Sequence, residues 1–256
     1  MPKGKKSPLK DKPLRNPGDS VQQALDNEID DHFMPYLLMV AGTLLFAIWD
    51  WIRWHFPRPL SPWFMTVFAA LTIAYCAFRI WQRLPRLRAM QQGRDGEKAV
   101  GQYLERLRAT GAVVMHDIPG DNFNIDHVVL SVKGIYMIET KTISKPASGP
   151  ATIDVSDEGI SFAGGKARAE YFDQVAAQTR WLRSLLLEST GKELPCKPVL
   201  LFPGWFMNPR RTKKFDETWI LEPKGFPKFL QNEPARLSKD DVYLAAYHLS
   251  RYSRTI

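Results

Sequence analysis

Residues 125–142, IDHVVLSVKGIYMIETKT, read as two apolar strands joined by a short turn, yet Asp126, Glu139 and Lys141 interrupt them. Successive strand side chains point to opposite faces, so i and i+2 neighbours share one. Ile135, Met137, Glu139 and Lys141 therefore line one face of the second strand. Glu139 and Lys141 stand side by side, roughly 7 Å apart by the strand rise. On the first strand Asp126 goes with Val128 and Leu130, and His127 goes with Val129. Lys133-Gly134 marks the turn, which predicts an antiparallel hairpin. A tight hairpin brings Asp126 near Glu139 across the ladder, so two carboxylates and an ammonium converge at one end of a sheet.

Working outward toward the N-terminus, the pattern changes. Residues 34–52 and 63–81 are apolar apart from Asp50 and Arg79. Each is long enough to cross a hydrocarbon core of roughly 30 Å. Trp49, Trp51, Trp54, Trp63 and Trp81 crowd their ends, as expected where amphipathic rings sit at headgroups. The linker RWHFPRPLSP is too short for a domain, so the two spans form a transmembrane hairpin with both ends on one side. A first apolar run more than thirty residues into the chain, followed at once by a second, does not fit a cleaved leader. Arg79, Arg83, Arg86 and Arg88, with the lysine-rich start, put both termini in the cytoplasm at the inner membrane by the positive-inside rule, which Arg53 and Arg58 weaken without reversing.

Three regions result: a basic tail with a short amphipathic helix over 1–33, the two spans over 34–81, and a soluble domain over 82–256. The tail helix places Val21, Leu25, Ile29 and Phe33 at i, i+4 spacing. Beyond the spans, helix is expected from after Pro85 and over 94–109. Strands follow at 112–118, 125–131 and 135–142, then a hairpin through TIDVSDEGISF. A long helix over 168–189, a strand over 197–203, a short strand near TWILEP and two closing helices complete the chain. Ser238 with Asp241 has the spacing of an N-cap box. This is an α/β fold with a mixed sheet. Two cysteines, Cys76 and Cys196, lie too far apart in kind of segment for a disulfide framework, and no spacing indicates zinc. The net charge of +8 suits a phosphate-rich partner or an anionic leaflet and does not choose between them.

Several polar residues fall on faces that should be apolar. Glu97 lies on the stripe of Val100, Leu104 and Leu107, where it either complements the helix dipole or faces a cation. In the long helix Gln178 interrupts the stripe of Tyr171, Val175, Leu182 and Leu185, and Gln174 flanks it. Either amide could satisfy a backbone group at the sheet edge. Glu139 with Lys141 could be a solvated ion pair, but Ile135 and Met137 share that face. A shared magnesium ion accounts for Glu97, Asp126 and Glu139 at once, because it prefers hard oxygen donors and needs only one or two carboxylates beside a substrate phosphate. A lysine beside it would orient or deprotonate an attacking water, which is the chemistry of phosphodiester hydrolysis.

The helix with GRDGEKAVGQYLERL, then NIDHVVLSVKGIYMIETKT, then a helix with YFDQVAAQ together resemble the nuclease-related domain (NERD) family of the PD-(D/E)XK nuclease superfamily, over roughly residues 93–203. Asp126 and Glu139-Thr140-Lys141 match the superfamily signature, although Ile125 stands where its proline would be. The resemblance implies a restriction-endonuclease-like core of order α-β-β-β-α-β. It also implies a Mg2+ (or Mn2+) site with Asp126, Glu139 and the Thr140 carbonyl as ligands, Lys141 activating water, and Glu97 and Gln174 in support, with Gln178 the second choice for the glutamine. The expected partner is nucleic acid, DNA first. The alternative is a non-catalytic module that binds nucleic acid or a protein at the inner membrane. The cluster Arg210, Arg211, Lys213 and Lys214 is either a phosphate grip or a solvated loop.

Overall fold

The computed structural model describes residues 14–55, 63–146, 149–208 and 217–255. The basic cluster at 210–214 and most of the loop between the two apolar segments lie outside them. The chain divides into two units, Ser20–Gln92 and Met1–Asp19 with Gly93–Ile256.

Three helices supply the first unit: α1 (Asp19–His32), α2 (Met34–Trp54) and the first part of α3 (Trp63–Leu104). Glu28, buried on α1, is held by Arg83 Nη1 at 3.0 Å and by Arg86 Nη2 at 3.6 Å, so two guanidinium groups answer its charge. Along α2 and α3 most large apolar side chains face outward, among them Leu38, Leu45, Phe46, Phe64 and Leu71. Both helices are long and apolar enough to cross a membrane. The helix runs through Pro85, where the sequence suggested a start. Its missing N–H leaves the Trp81 carbonyl without its helical donor.

In the second unit alternating residues build a five-stranded sheet of order β1-β2-β3-β6-β8: β1 (Val113–Pro119), β2 (Asn124–Ser131), β3 (Gly134–Thr140), β6 (Cys196–Leu201) and β8 (Trp219–Leu221). The first three strands pair antiparallel, and β3, β6 and β8 pair parallel, so the sheet is mixed. A smaller sheet joins β4 (Thr152–Ser156), β5 (Gly159–Phe162) and the two-residue β7 (Phe206–Met207). Both faces of the large sheet are covered. Val128, Leu130, Ile135 and Met137 pack on α4 (Glu170–Thr190) and α6 (Lys239–Thr255). Val129, Tyr136, Ile138 and Val199 pack on the end of α3, its 3-10 extension Glu105–Thr110 and α5 (Phe226–Asn232). That double burial explains why β3 is buried along its whole length.

The β2–β3 hairpin closes with two residues, Val132 and Lys133, between the paired Ser131 and Gly134. Gly134 has φ +144°, open to glycine and strained for any other residue. The Ser238 box caps α6: Ser238 Oγ accepts the Asp241 N–H at 3.1 Å, and Asp241 Oδ2 accepts the Ser238 hydroxyl at 2.6 Å.

Gly96 is the tightest contact between α3 and the sheet, for a Cβ there would collide with the Thr142 side chain. Alanine in an exposed helix would gain about 1 kcal/mol over glycine. Gly96→Ala is therefore expected to destabilise instead, by about 1–3 kcal/mol, as overpacking does. Urea unfolding of the purified variant measures it, and a stabilised variant would deny the contact.

Candidate functional site

The acidic site grows from the ends of three neighbouring strands. His116 pairs with His127 and Ile118 with Ile125, so Asp117 falls opposite Asp126. His127 pairs with Ile138, and one step further the register sets Asp126 opposite Glu139. Three acids on β1, β2 and β3 thus share one level of the sheet. The ladder stops there, because Asp126 Oδ2 itself accepts the Thr140 N–H, at 2.7 Å.

Glu139 is buried, and its two oxygens are held by three donors. Lys141 Nζ lies 2.7 Å from Oε1. The Lys141 N–H bonds to the Leu201 carbonyl at 2.9 Å, which keeps the chain extended past β3 and both side chains on one face. On α4, Gln174 and Gln178 are one turn apart and face the same way. Gln174 Nε2 donates to Glu139 Oε1 at 2.7 Å, and its own Oε1 accepts from Lys141 at 2.9 Å. Gln178 Nε2 donates to Glu139 Oε2 at 3.0 Å and to the Asn124 carbonyl at 3.2 Å. Gln178, which breaks the helix stripe, and Gln174, which flanks it, therefore both serve this carboxylate, and Gln178 also meets a backbone group.

Glu97 enters from α3 and is half-buried. Burial pushes its carboxyl up to about 7, and the nearby charges of Glu139 and Asp117 act in the same direction. Burial likewise raises Asp126 well above the usual carboxylate range, with Glu139 and Glu97 adding to it and the Thr140 N–H opposing. Two buried oxygens in the cluster, Thr140 Oγ1 and Gln178 Oε1, lack a hydrogen-bond partner among the described residues. Among the described residues no three His, Cys, Asp or Glu side chains gather closely enough to ligate one ion together. Asp126 and Glu139 face each other across the ladder, while Glu97 acts on them through its charge.

Asp117 escaped the sequence reading. It is buried, has φ +49°, and accepts from Asn124 Nδ2 at 3.2 Å, with Arg15 at 3.5 Å from its other oxygen. A left-handed, buried aspartate is strained. The only sequence signal was a carboxylate within the apolar run VVMHDIP. Arg15 belongs to a segment, residues 14–19, that lies along this side of the unit. Pro17 packs on Gly101, and Gly18, at φ +74°, sits so near that a side chain there would stand 3.6 Å from Glu97 Oε2. His127 points away from the acids: its Nδ1 meets His116 Nδ1 at 2.9 Å, and His116 Nε2 meets Glu105 Oε1 at 2.8 Å.

A carboxylate whose folded pKa is raised binds more protons folded than unfolded, so it favours folding at low pH. That advantage is lost as pH rises from 4.5 to about 7. Glu97→Gln removes the group. It is expected to stabilise the metal-free protein at pH 8 by of order 2 kcal/mol and to change little at pH 4.5. Thermal unfolding at the two pH values checks this, and equal effects at both would refute it.

No curated protein matches the sequence. Among solved structures, the chain is similar to Pyrococcus furiosus SfsA in complex with Ca2+, at 16% identity over 62% of this chain and 53% of that one, with a TM-score of 0.23. The chain spans about half the length of that protein, and the superposition is too loose to define a shared fold. Residues 92–203 match the family described as the nuclease-related domain. Residues 92–203, which hold Glu97, Asp126, Glu139, Lys141, Gln174 and Gln178, are thus a nuclease-related domain of the PD-(D/E)XK-like nuclease superfamily.

Proposed function

We propose that this chain is a membrane-anchored, metal-dependent nuclease that hydrolyses phosphodiester bonds of nucleic acid, DNA in the first place. One observation carries the reading. Glu139 and Lys141 stand side by side at the end of β3, opposite Asp126 on β2, inside a nuclease-related domain. The restriction-endonuclease-like core is part of the same proposal, supported by the order of α3, β1, β2, β3, α4 and β6.

The donor set suits a hard divalent cation, because two carboxylates face each other beside buried oxygens that lack partners. Asp126, Glu139 and the Thr140 carbonyl would hold Mg2+ or Mn2+. When bound, such an ion polarises the scissile phosphate and eases ionisation of a water. The remaining work falls to side chains. Lys141 orients the attacking water and offsets charge on the phosphate oxygens. Gln174 fixes Lys141 through its carbonyl oxygen and fixes Glu139 through its amide, so acid and base keep one geometry. Gln178 ties Glu139 to the start of β2. Glu97 supports the pair from α3, with a carboxyl that takes up a proton near neutral pH.

The two apolar helices support an anchor, and the arginines after the second support a cytoplasmic domain at the inner membrane with both termini inside. A module that binds nucleic acid or a partner without cutting remains the rival outcome of the test below.

With Mg2+, the purified protein is expected to nick plasmid DNA. Lys141→Ala and Asp126→Ala should each lower the rate by about 100-fold or more, and chelation should abolish it. Cleavage that survives both substitutions removes the catalytic assignment, and an inert wild type that still retards DNA supports the rival. Reporter fusions at both termini should register the cytoplasm, and a periplasmic C-terminus would make cytosolic DNA the wrong substrate.

A further inference from the structure

Away from the acidic site, two adjoining cavities share Tyr243. The first, about 430 Å³, lies between the β2–β3 turn and the ends of α3 and α5, and its cations are Arg106, Lys133 and Lys239. The second, about 870 Å³, follows β1 and the outer face of α6 past Tyr247 and Arg251. β1 is an edge strand, so its outer backbone groups are not used by the sheet.

Three features define what fits there. Neither cavity is lined by a carboxylate. Arg106, Lys133, Lys239 and Arg251 form no ion pair among the described residues, and the exposed Asp240 lies outside both linings. Two large rings are open to solvent, Tyr243 at 67% and Tyr247 at 57% exposure. Lys239, Tyr243, Tyr247 and Arg251 recur every four residues on α6, one stripe of two rings flanked by two cations. A stripe at helical spacing is ordinarily core, but here the core side of α6 is Val242, Ala245 and Leu249. Arg251 lies 5.9 Å from the Tyr247 ring centre and Arg106 5.2 Å from that of Tyr103, so ring and cation are presented together.

A ligand for such a surface is a polyanion with free planar faces. Single-stranded nucleic acid meets both conditions, whereas a duplex hides its base faces in the stack. The groove also has a direction. A third cavity shares Leu14, Arg108, Val114 and Met115 with the second and is lined further on by Lys98 and by Arg15, the partner of Asp117, with Asp19 and Glu105 also on its wall. Lys133 is seven residues from Asp126 along β2, so the far end lies on the order of 20 Å from the acids.

We propose that Tyr243, Tyr247 and Arg251, with Arg106, Lys133 and Lys239, form a groove that binds single-stranded nucleic acid and leads it along β1 to the acidic site. The proposal rests on the nuclease reading for its purpose, but binding in the groove needs no cleavage and is tested without it.

The full chain in detergent micelles, with chelator present, is titrated against a fluorescent 20-residue oligothymidylate. Tyr243→Ala and Tyr247→Ala should each weaken binding about tenfold, the loss of one stacked base. The phenylalanine variants should bind as wild type. Arg106→Gln and Lys239→Gln should reduce the slope of log affinity against log salt, each by about 0.7. Both tyrosines are exposed, so thermal unfolding should be the same for every variant. Undiminished affinity in the double alanine variant overturns the proposal, as does a duplex bound as tightly as the single strand. Soluble short-chain phosphatidylserine that binds through these tyrosines, while oligothymidylate binding ignores them, overturns it in favour of a lipid surface. If wild type binds through the tyrosines but never cuts with Mg2+, the catalytic reading fails and the groove stands.

Discussion

Everything at the end of this sheet depends on how one buried carboxylate is hydrogen-bonded. Glu139 sits among Ile135, Met137 and the α4 stripe, where an unanswered charge would cost several kcal/mol. Lys141, Gln174 and Gln178 answer it with three hydrogen bonds of 2.7 to 3.0 Å. That requirement fixes the extension of the chain past β3 and the rotation of α4 about its axis. Charge satisfaction and site geometry are here the same constraint, so a substitution that loosens one loosens the other.

The remaining acids are not satisfied in this way. Burial holds Asp126 and Glu97 at raised pKa values, and Asp117 adopts a left-handed backbone. A fold selected for stability alone would place apolar residues at these positions. Their carboxylates cost stability that apolar side chains there would not.

Much of this was legible in the sequence where side-chain period dominates. The hairpin, the face shared by Glu139 and Lys141, and the box at Ser238 follow from local spacing and appear as read. The family resemblance through Glu97, Asp126 and Glu139-Thr140-Lys141 is matched by residues 92–203. What local spacing cannot carry was missed. Asp117 acquires its place from the register of β1 against β2, a pairing between segments that no single strand encodes. Arg15 and Gly18 belong to a stretch with no periodicity, and only the fold brings them beside β1 and α3. The run of α3 through Pro85 and the two-residue β7 are likewise tertiary outcomes that overrule local preference.

The paired imidazoles behind the acids set a limit of another kind. His116 Nδ1 and His127 Nδ1 meet at 2.9 Å, a gap that admits a single hydrogen. If His116 gives its Nε2 hydrogen to Glu105, its Nδ1 must accept, so His127 carries the hydrogen on Nδ1 and leaves Nε2 as a bare lone pair. A second proton on His127 would turn that lone pair into a buried donor with no acceptor among the described residues, and burial already holds the ring's affinity for protons well below normal. Burial thus disfavours protonation of either ring, on the very strands that carry Asp117 and Asp126.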